Sequence, residues 1–351
     1  MPMVNNSVAV LGGGILGLTT SIVLKLAGYD VSVYTAKEIS DSNATSDPLF
    51  ASAYPAASVI PHTVRADRLE TLVEDSGVTF LALLKAPDSG VRIQRHWELS
   101  ENELETPDYV DALKDFRRFD DSEIPVRRRG ARHVSGYSFD CFFCDMPIYG
   151  RWIQKTVQSL GIQVLRTQIT HGWKPQNPAD YYVNCLGAGA ARVFEDLQTG
   201  SLVRGILLLA EYTPMDGPIS SYNYSPPASV YPSFDEMGAS DVYFYPRSEY
   251  AVLGGTRQRG QLIENEFVAD STMDVPLIEL HGVSVPKPIV DLNAELIEQL
   301  TGSKIGKIVH ALVGYRHLHV NSDGRDSVAL RLANRIGLPP IVDCFGFGGG
   351  A

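Results

Sequence analysis

Short apolar runs and helical stripes alternate at the start of this chain. SVAVL at 7–11 is a valine-rich run that reads as a buried parallel strand. Three glycines follow, and then ILGLTTSIVLKLAG places Leu18, Ile22 and Leu26 on one helical face, with Gly28 where a C-cap belongs. DVSVYT at 30–35 supplies a second strand, so strand, glycine turn, helix and strand fit the length of one βαβ unit.

Beyond it, residues 36–64 read as a long loop rich in small residues, and 66–85 as a helix. Residues 86–140 are mixed and charged. Helical periodicity returns at 147–161, strand character at 162–169, and an apolar strand at 181–190 ends in a small-residue turn. From 202 to 256, LVRGILLLAEY, DVYFYP and YAVLGGT alternate with turn residues, which predicts a large, mainly antiparallel sheet. LNAELIEQLTG at 292–302 is a helix, and IVDCF near the end is a strand running into glycines. With no repeat and no linker, two domains are expected to interleave rather than follow one another.

Composition narrows the function classes. The net charge of −11 argues against a nucleic-acid partner, and the basic run at 127–132 reads as a solvated turn. No apolar run is long enough to span a membrane, and no secretory signal is visible, so an intracellular protein is expected. Four scattered cysteines do not make a disulfide scaffold.

The glycine turn carries the first chemistry. Gly12, Gly14 and Gly17 follow G-x-G-x-x-G between a predicted strand and helix, the context in which that pattern cradles a dinucleotide pyrophosphate. Gly12 permits the turn, Gly14 lets backbone approach the phosphates, and Gly17 lets helix and strand pack closely. Ile15 and Leu16 open the helix, whose N-terminus favours anions. The second strand ends Tyr34-Thr35-Ala36-Lys37, without the carboxylate that a plain NAD dehydrogenase uses on its ribose. Thr35 is left to bond the ribose and Lys37 to meet a phosphate.

A series of segments then resembles the D-amino-acid oxidase and D-aspartate oxidase family of flavoproteins, closer to fungal members. These are GGGILGLTTS (12–21), FASAYPAASVIP (50–61), YYVNCLGAGA (181–190), VRG (203–205), YFYPR (243–247), LGGTRQRG (253–260), GYR (314–316) and CFGFGGG (344–350). The resemblance implies an α/β fold: a Rossmann-like FAD-binding domain (1–64, 148–202 and 305–351) and an interleaved α+β substrate domain (65–147 and 203–304) on the antiparallel sheet. It implies FAD as cofactor and an amino acid and O2 as substrates. A hydride would pass from Cα to the flavin, and H2O2 and an imino acid would form.

Carried onto this chain, Arg316 would pair with the substrate α-carboxylate and Tyr243 would donate to it. A planar guanidinium matches a carboxylate in a two-point fork. Ala51 and Ser52 would line the flavin edge; Ile169, Leu186, Gly187 and Ala188 would lie on the adenosine side. Gly346, Gly348 and Gly349 would form the closing glycine turn. Arg257 resembles the arginine that holds a substrate side-chain carboxylate, so an acidic D-amino acid such as D-aspartate is favoured, with a neutral one close behind. A second arginine ahead of Tyr243 is missing, FDEMGAS with Glu236 standing there, and no lid tyrosine stands near Ala239; Arg247 or His317 would have to compensate.

Other constellations carry less. His62, His317 and His319 lack a zinc ligand set, so no metal is expected. Cys141 and Cys144 sit in a strand-like aromatic run and read as structural. The chain stops at Ala351, ahead of the helix that the family's last glycine turn would cap, and without a peroxisomal tripeptide; peroxisome and cytoplasm both stay open, as does a homodimer. The alternatives are a glycine- or sarcosine-type amine oxidase and a flavin-binding homologue without turnover.

Overall fold

A computed structural model describes residues 6–55, 58–61, 68–174, 178–194, 201–213, 219–232, 241–248, 250–264, 266–320, 326–335 and 339–347. Its first sheet holds β1 (Ser7–Leu11), β2 (Asp30–Thr35), β6 (Gln163–Arg166), β7 (Tyr181–Asn184) and β19 (Ile341–Phe345). They run parallel in the order β19-β7-β1-β2-β6, and β18 (Ala329–Ala333) adds an antiparallel edge to β19. Parallel strands need apolar cover. Here α1 (Ile15–Leu26) and α3 (Met146–Ser159) supply one face, where Leu18, Ile153 and Val157 join Val10 and Val33 in one buried cluster. Ala9, Leu11 and Tyr34 turn to the other face, with Phe194 just after the short α4 (Ala190–Val193).

The second sheet runs in the order β13-β12-β8-β11-β10-β9-β3-β5-β4. Its strands are β3 (Val91–Ser100), β4 (Lys114–Phe119), β5 (Ser135–Cys144), β8 (Ser201–Glu211), β9 (Ser220–Ser225), β10 (Val242–Pro246), β11 (Tyr250–Gly254), β12 (Gln258–Ile263) and β13 (Glu266–Ala269). All neighbours on that path are antiparallel except β3 and β9. The long β16 (Ile308–Val320) covers the remaining edge of β8 and pairs with β17 (Asp326–Ser327). Thus β16 belongs to the large sheet, although the sequence reading assigns all of 305–351 to the cofactor domain. Beside the sheet lie a small hairpin, β14 (Leu277–Leu280) with β15 (Val283–Pro286), and α5 (Lys287–Thr301), closed by Gly302 at φ 70°. α5 buries Ile289, Leu296 and Ile297 against Phe244 and Leu253. The remaining helix, α2 (Leu69–Leu83), buries none of its residues. No helix among the described residues is long and apolar enough to cross a membrane.

Two loop segments of the first unit dock on β16. Tyr315 N–H donates to the Pro48 carbonyl at 2.7 Å, and the Tyr54 ring lies against Gly314 while its hydroxyl donates to the Val313 carbonyl. Phe347, past the end of β19, bridges to Leu318. The strand that carries Arg316 thus joins the large sheet and takes contacts from Pro48, Tyr54 and Phe347.

Candidate functional site

The glycine turn folds as its sequence requires. Gly12 takes φ 111°, and its N–H donates to Tyr34 at 2.8 Å. A side chain there would strike the Cys185 carbonyl, and one on Gly17 would strike that of Gly12, so strand β7 and helix α1 both need the missing Cβ. The N-cap of α1 is Gly14, which offers no side-chain cap, and the first turn holds no acidic residue. Its positive end thus faces the carboxyl ends of the strands without a charge of its own.

Several candidate cofactor residues gather at that edge. Thr35 is buried against Gly13, and Ser52 lies against Gly14, with its Oγ accepting from Ile15 N–H at 3.0 Å. Leu186 packs beside Ala9 and Leu11, and Gly187 (φ 55°) opens the next turn with nothing within 4 Å of where a Cβ would stand. Gly346 turns the chain at φ 84°. Ala51 opens the 3₁₀ turn Ala51–Ala53 that also carries Ser52. This cradle of small residues at a helix N-terminus and a parallel-strand edge fits the pyrophosphate and flavin of FAD.

Two candidates are placed otherwise. Lys37 Nζ is 3.0 Å from Asp47, and its carbonyl accepts from Thr35 Oγ1 at 2.7 Å, so the ammonium is committed to a carboxylate rather than offered to a phosphate. Ile169 is a core residue, packed with Tyr34 and Trp173. Gly348 and Gly349 lie outside the described residues, as do His62, Glu236 and Ala239.

The second part of the site stands on β10, β11 and β16. Tyr243 pairs across the ladder with Gly254, and its ring covers Gly254 and Gly255, where any side chain would collide with it. Its other neighbour is Tyr245, stacked at 4.9 Å. Burial, chiefly, pushes the Tyr243 phenol up to about 12, with the Arg316 charge opposing, so the hydroxyl remains a proton donor. The Arg316 guanidinium rests on Gly205, where a Cβ would sit 2.7 Å from Nη2, and it donates to the Thr256 carbonyl at 3.1 Å. Burial lowers its pKa from the usual guanidinium value, and the nearby Tyr243 and Asp241 oppose that shift.

Gly254 and Gly255 thus admit the tyrosine ring, and the backbone carbonyl of Thr256 steadies the arginine. Arg257 follows, with Nη2 3.0 Å from the Asp241 carboxylate. Among the described residues, the Arg316 and Arg257 guanidiniums gather near the Asp241 carboxylate, two cations to one anion, which suits an anionic ligand. Asp241 was not singled out from sequence; only the approach of the residue before β10 to the one before β12 reveals it.

A further polar network also escapes sequence reasoning. Behind Tyr245, the hydroxyl donates to Asn223 Oδ1 at 2.7 Å, Asn223 Nδ2 donates to Glu98 Oε1 at 2.7 Å, and His96 lies 3.1 Å from the same oxygen and 2.9 Å from Ser221 Oγ. His96, Glu98, Ser221 and Asn223 are all buried. The available signal was polar residues at alternate positions within otherwise buried strands.

The proposed substitutes for a second arginine do not serve. Arg247 is buried, donating to Asp145 at 2.6 Å. His317 faces Phe345, and burial, followed by His319, pushes its pKa down to about 4. Among the described residues no group of three His, Cys, Asp or Glu side chains is placed to hold a metal. Cys141 and Cys144, three apart on β5, are buried thiols whose pKa values burial raises.

Comparison with known proteins matches residues 7–350 to the DAO family model, described as FAD dependent oxidoreductase. The chain is 26% identical to human D-aspartate oxidase over 261 residues, 72% of this chain and 69% of that protein. It is 26% identical to a D-amino-acid oxidase of Rubrobacter xylanophilus, over 97% of this chain and 89% of that one. The fold is that of glycine oxidase from Geobacillus kaustophilus, with a TM-score of 0.62 at 14% identity, covering 98% of this chain and 90% of that one.

Proposed function

Because the chain belongs to the DAO family and is an FAD-dependent oxidoreductase, we propose that it oxidises D-amino acids, acidic ones above all. The observation that carries this reading is the Arg316–Tyr243 pair beside Arg257. A substrate α-carboxylate takes the guanidinium fork of Arg316 and a hydrogen bond from Tyr243. That two-point hold fixes Cα relative to the cofactor edge near Ala51 and Ser52. When bound, FAD supplies the acceptor for the hydride leaving Cα and returns the electrons to O2 as H2O2. A substrate amine that arrives neutral needs no protein base. Gly205, Gly254 and Gly255 let the arginine and the ring approach the backbone closely.

Arg257 supports an acidic side chain, as does the likeness to a relative named D-aspartate oxidase. A second reading, a neutral D-amino acid, is favoured by Asp241, which offsets the Arg257 charge at 3.0 Å. Anaerobic addition of D-aspartate, D-alanine or glycine to the FAD-loaded protein separates the cases. We expect flavin bleaching with D-aspartate, more slowly with D-alanine and not with glycine. Bleaching by glycine alone, or by none of them, would overturn the proposal.

A further inference from the structure

Cys185 and Cys344 take no part in the chemistry above, yet the strand register brings them together. β7 and β19 are parallel neighbours that pair Asn184 with Asp343, so the next residue on each strand is a cysteine. Side chains alternate between faces. Asn184 and Asp343 turn to one face, where the amide donates to the carboxylate at 2.9 Å. Both cysteines therefore turn to the opposite face, into the buried cluster beneath α1 with Leu18 and Val183. Neighbouring strands lie about 4.8 Å apart, within the Cα separations of roughly 4.4–6.8 Å that a disulfide spans. Both residues are free thiols.

We propose that Cys185 and Cys344 form an oxidisable dithiol that hydrogen peroxide closes to a disulfide. The hydrogen bond from Cys185 holds the Cys344 thiol below its ordinary pKa, and the same contact, with burial, pushes Cys185 up. The Thr20 side chain also hydrogen-bonds to each. Cys344 is accordingly the attacking sulfur. Its thiolate takes one peroxide oxygen as the O–O bond breaks, giving a sulfenic acid, and the departing hydroxide leaves as water with the thiol proton. The Cys185 sulfur then displaces the sulfenic oxygen, which leaves as a second water with the Cys185 proton. Two thiols are oxidised by two electrons and one H2O2 is reduced to two H2O.

The bond would tie β19 to β7 where the 186–188 turn and Gly346 leave the sheet, at the rim of the cofactor cradle. Cys141 and Cys144 have no such arrangement. An offset of three within β5 turns them to opposite faces, and the Cys141 sulfur is engaged with the Val59 carbonyl at 3.7 Å. Supply of peroxide by the protein itself rests on the proposed oxidase reaction; the reactivity of the pair does not.

The test uses added peroxide, so it is independent of turnover. The purified protein is treated with a slight molar excess of H2O2, blocked with an alkylating agent under denaturing conditions, and mapped with trypsin without reduction. We expect a mass deficit of two hydrogens before blocking, and a linked peptide joining 167–192 to 336–351 that reduction separates. Alkylation of Cys141 and Cys144 is expected to be unchanged, and Cys185→Ser or Cys344→Ser each to abolish the deficit. Full alkylation of all four thiols after treatment would overturn the proposal, as would sulfinic or sulfonic acid at Cys344 without a crosslink, or a crosslink involving Cys141 or Cys144. The unsubstituted protein alone decides the matter if either variant fails to fold.

Discussion

The Arg257 guanidinium meets the Asp241 carboxylate at 3.0 Å, with both side chains largely buried. A carboxylate-bearing substrate side chain must share Arg257 with Asp241. Asp241→Asn keeps an oxygen for the Arg257 N–H but removes the negative charge. The variant is expected to lower KM for D-aspartate about tenfold, equivalent to about 1.4 kcal/mol, and to leave D-alanine nearly unchanged. Arg257→Met is expected to do the reverse, raising KM for D-aspartate while sparing D-alanine. Steady-state kinetics on both substrates check the pair.

Arg316 is held by its neighbours before any ligand arrives, resting on Gly205 and donating to the Thr256 carbonyl. Arg316→Met removes a charged two-point contact and is expected to cost about 3 kcal/mol or more, roughly a hundredfold in kcat/KM, for every D-amino acid. Gly205→Ala is the subtler probe, because its methyl would stand 2.7 Å from Nη2 and must displace the guanidinium. It should raise KM with little change in the bound-flavin spectrum. An unchanged KM in both variants would remove Arg316 from the carboxylate role.

What could be read ahead of the structure follows from how local each feature is. Gly12, Gly14 and Gly17 lie within six residues of one another, and their roles follow from a strand–turn–helix context visible in the same stretch. Tyr243 and Arg316 stand 73 positions apart on strands that do not pair, so periodicity alone could not join them; resemblance did. Asp241, His96, Glu98 and Asn223 had neither aid, since their contacts depend on the register of β3 against β9 and on the approach of β10 to β11. Lys37 shows another limit of local reading: its type suits a phosphate, and its ion pair with Asp47 on the neighbouring loop depends on how that loop folds back.

Half-buried His317 makes stability depend on pH. Its folded pKa is pushed from 6.5 down to about 4 by burial and by His319, and its Nδ1 finds no hydrogen-bond partner among the described residues. The unfolded chain therefore binds a proton that the folded chain refuses between those values. The stabilisation is full above pH 6.5 and is lost as pH falls toward 4, by about 2 kcal/mol between pH 7 and 5. His317→Gln should flatten that part of the profile. Urea unfolding at pH 7 and pH 5 measures the difference, and an equal pH dependence in variant and parent would assign it elsewhere.

The network behind Tyr243 positions a ring that is itself two contacts from the buried Glu98. Tyr245 stacks on Tyr243 and donates to Asn223, which donates in turn to Glu98 beside His96. His96, Glu98 and Asn223 are buried and Tyr245 is half-buried, so breaking one link leaves a desolvated partner short of a bond, a loss of about 1–3 kcal/mol. Tyr245→Phe removes one hydroxyl and retains the stack, so it should destabilise slightly and leave KM near the parent value. Asn223→Leu strands the Tyr245 hydroxyl and removes one of the partners of Glu98 Oε1, leaving it His96. It should lower the unfolding midpoint more and also raise KM for D-amino acids several-fold, as the Tyr245 ring and the Tyr243 ring above it lose their fixed orientation. Thermal unfolding and KM measured on the same preparations distinguish the roles. Destabilisation with KM unchanged in Asn223→Leu would confine the network to holding β3, β9 and β10 together.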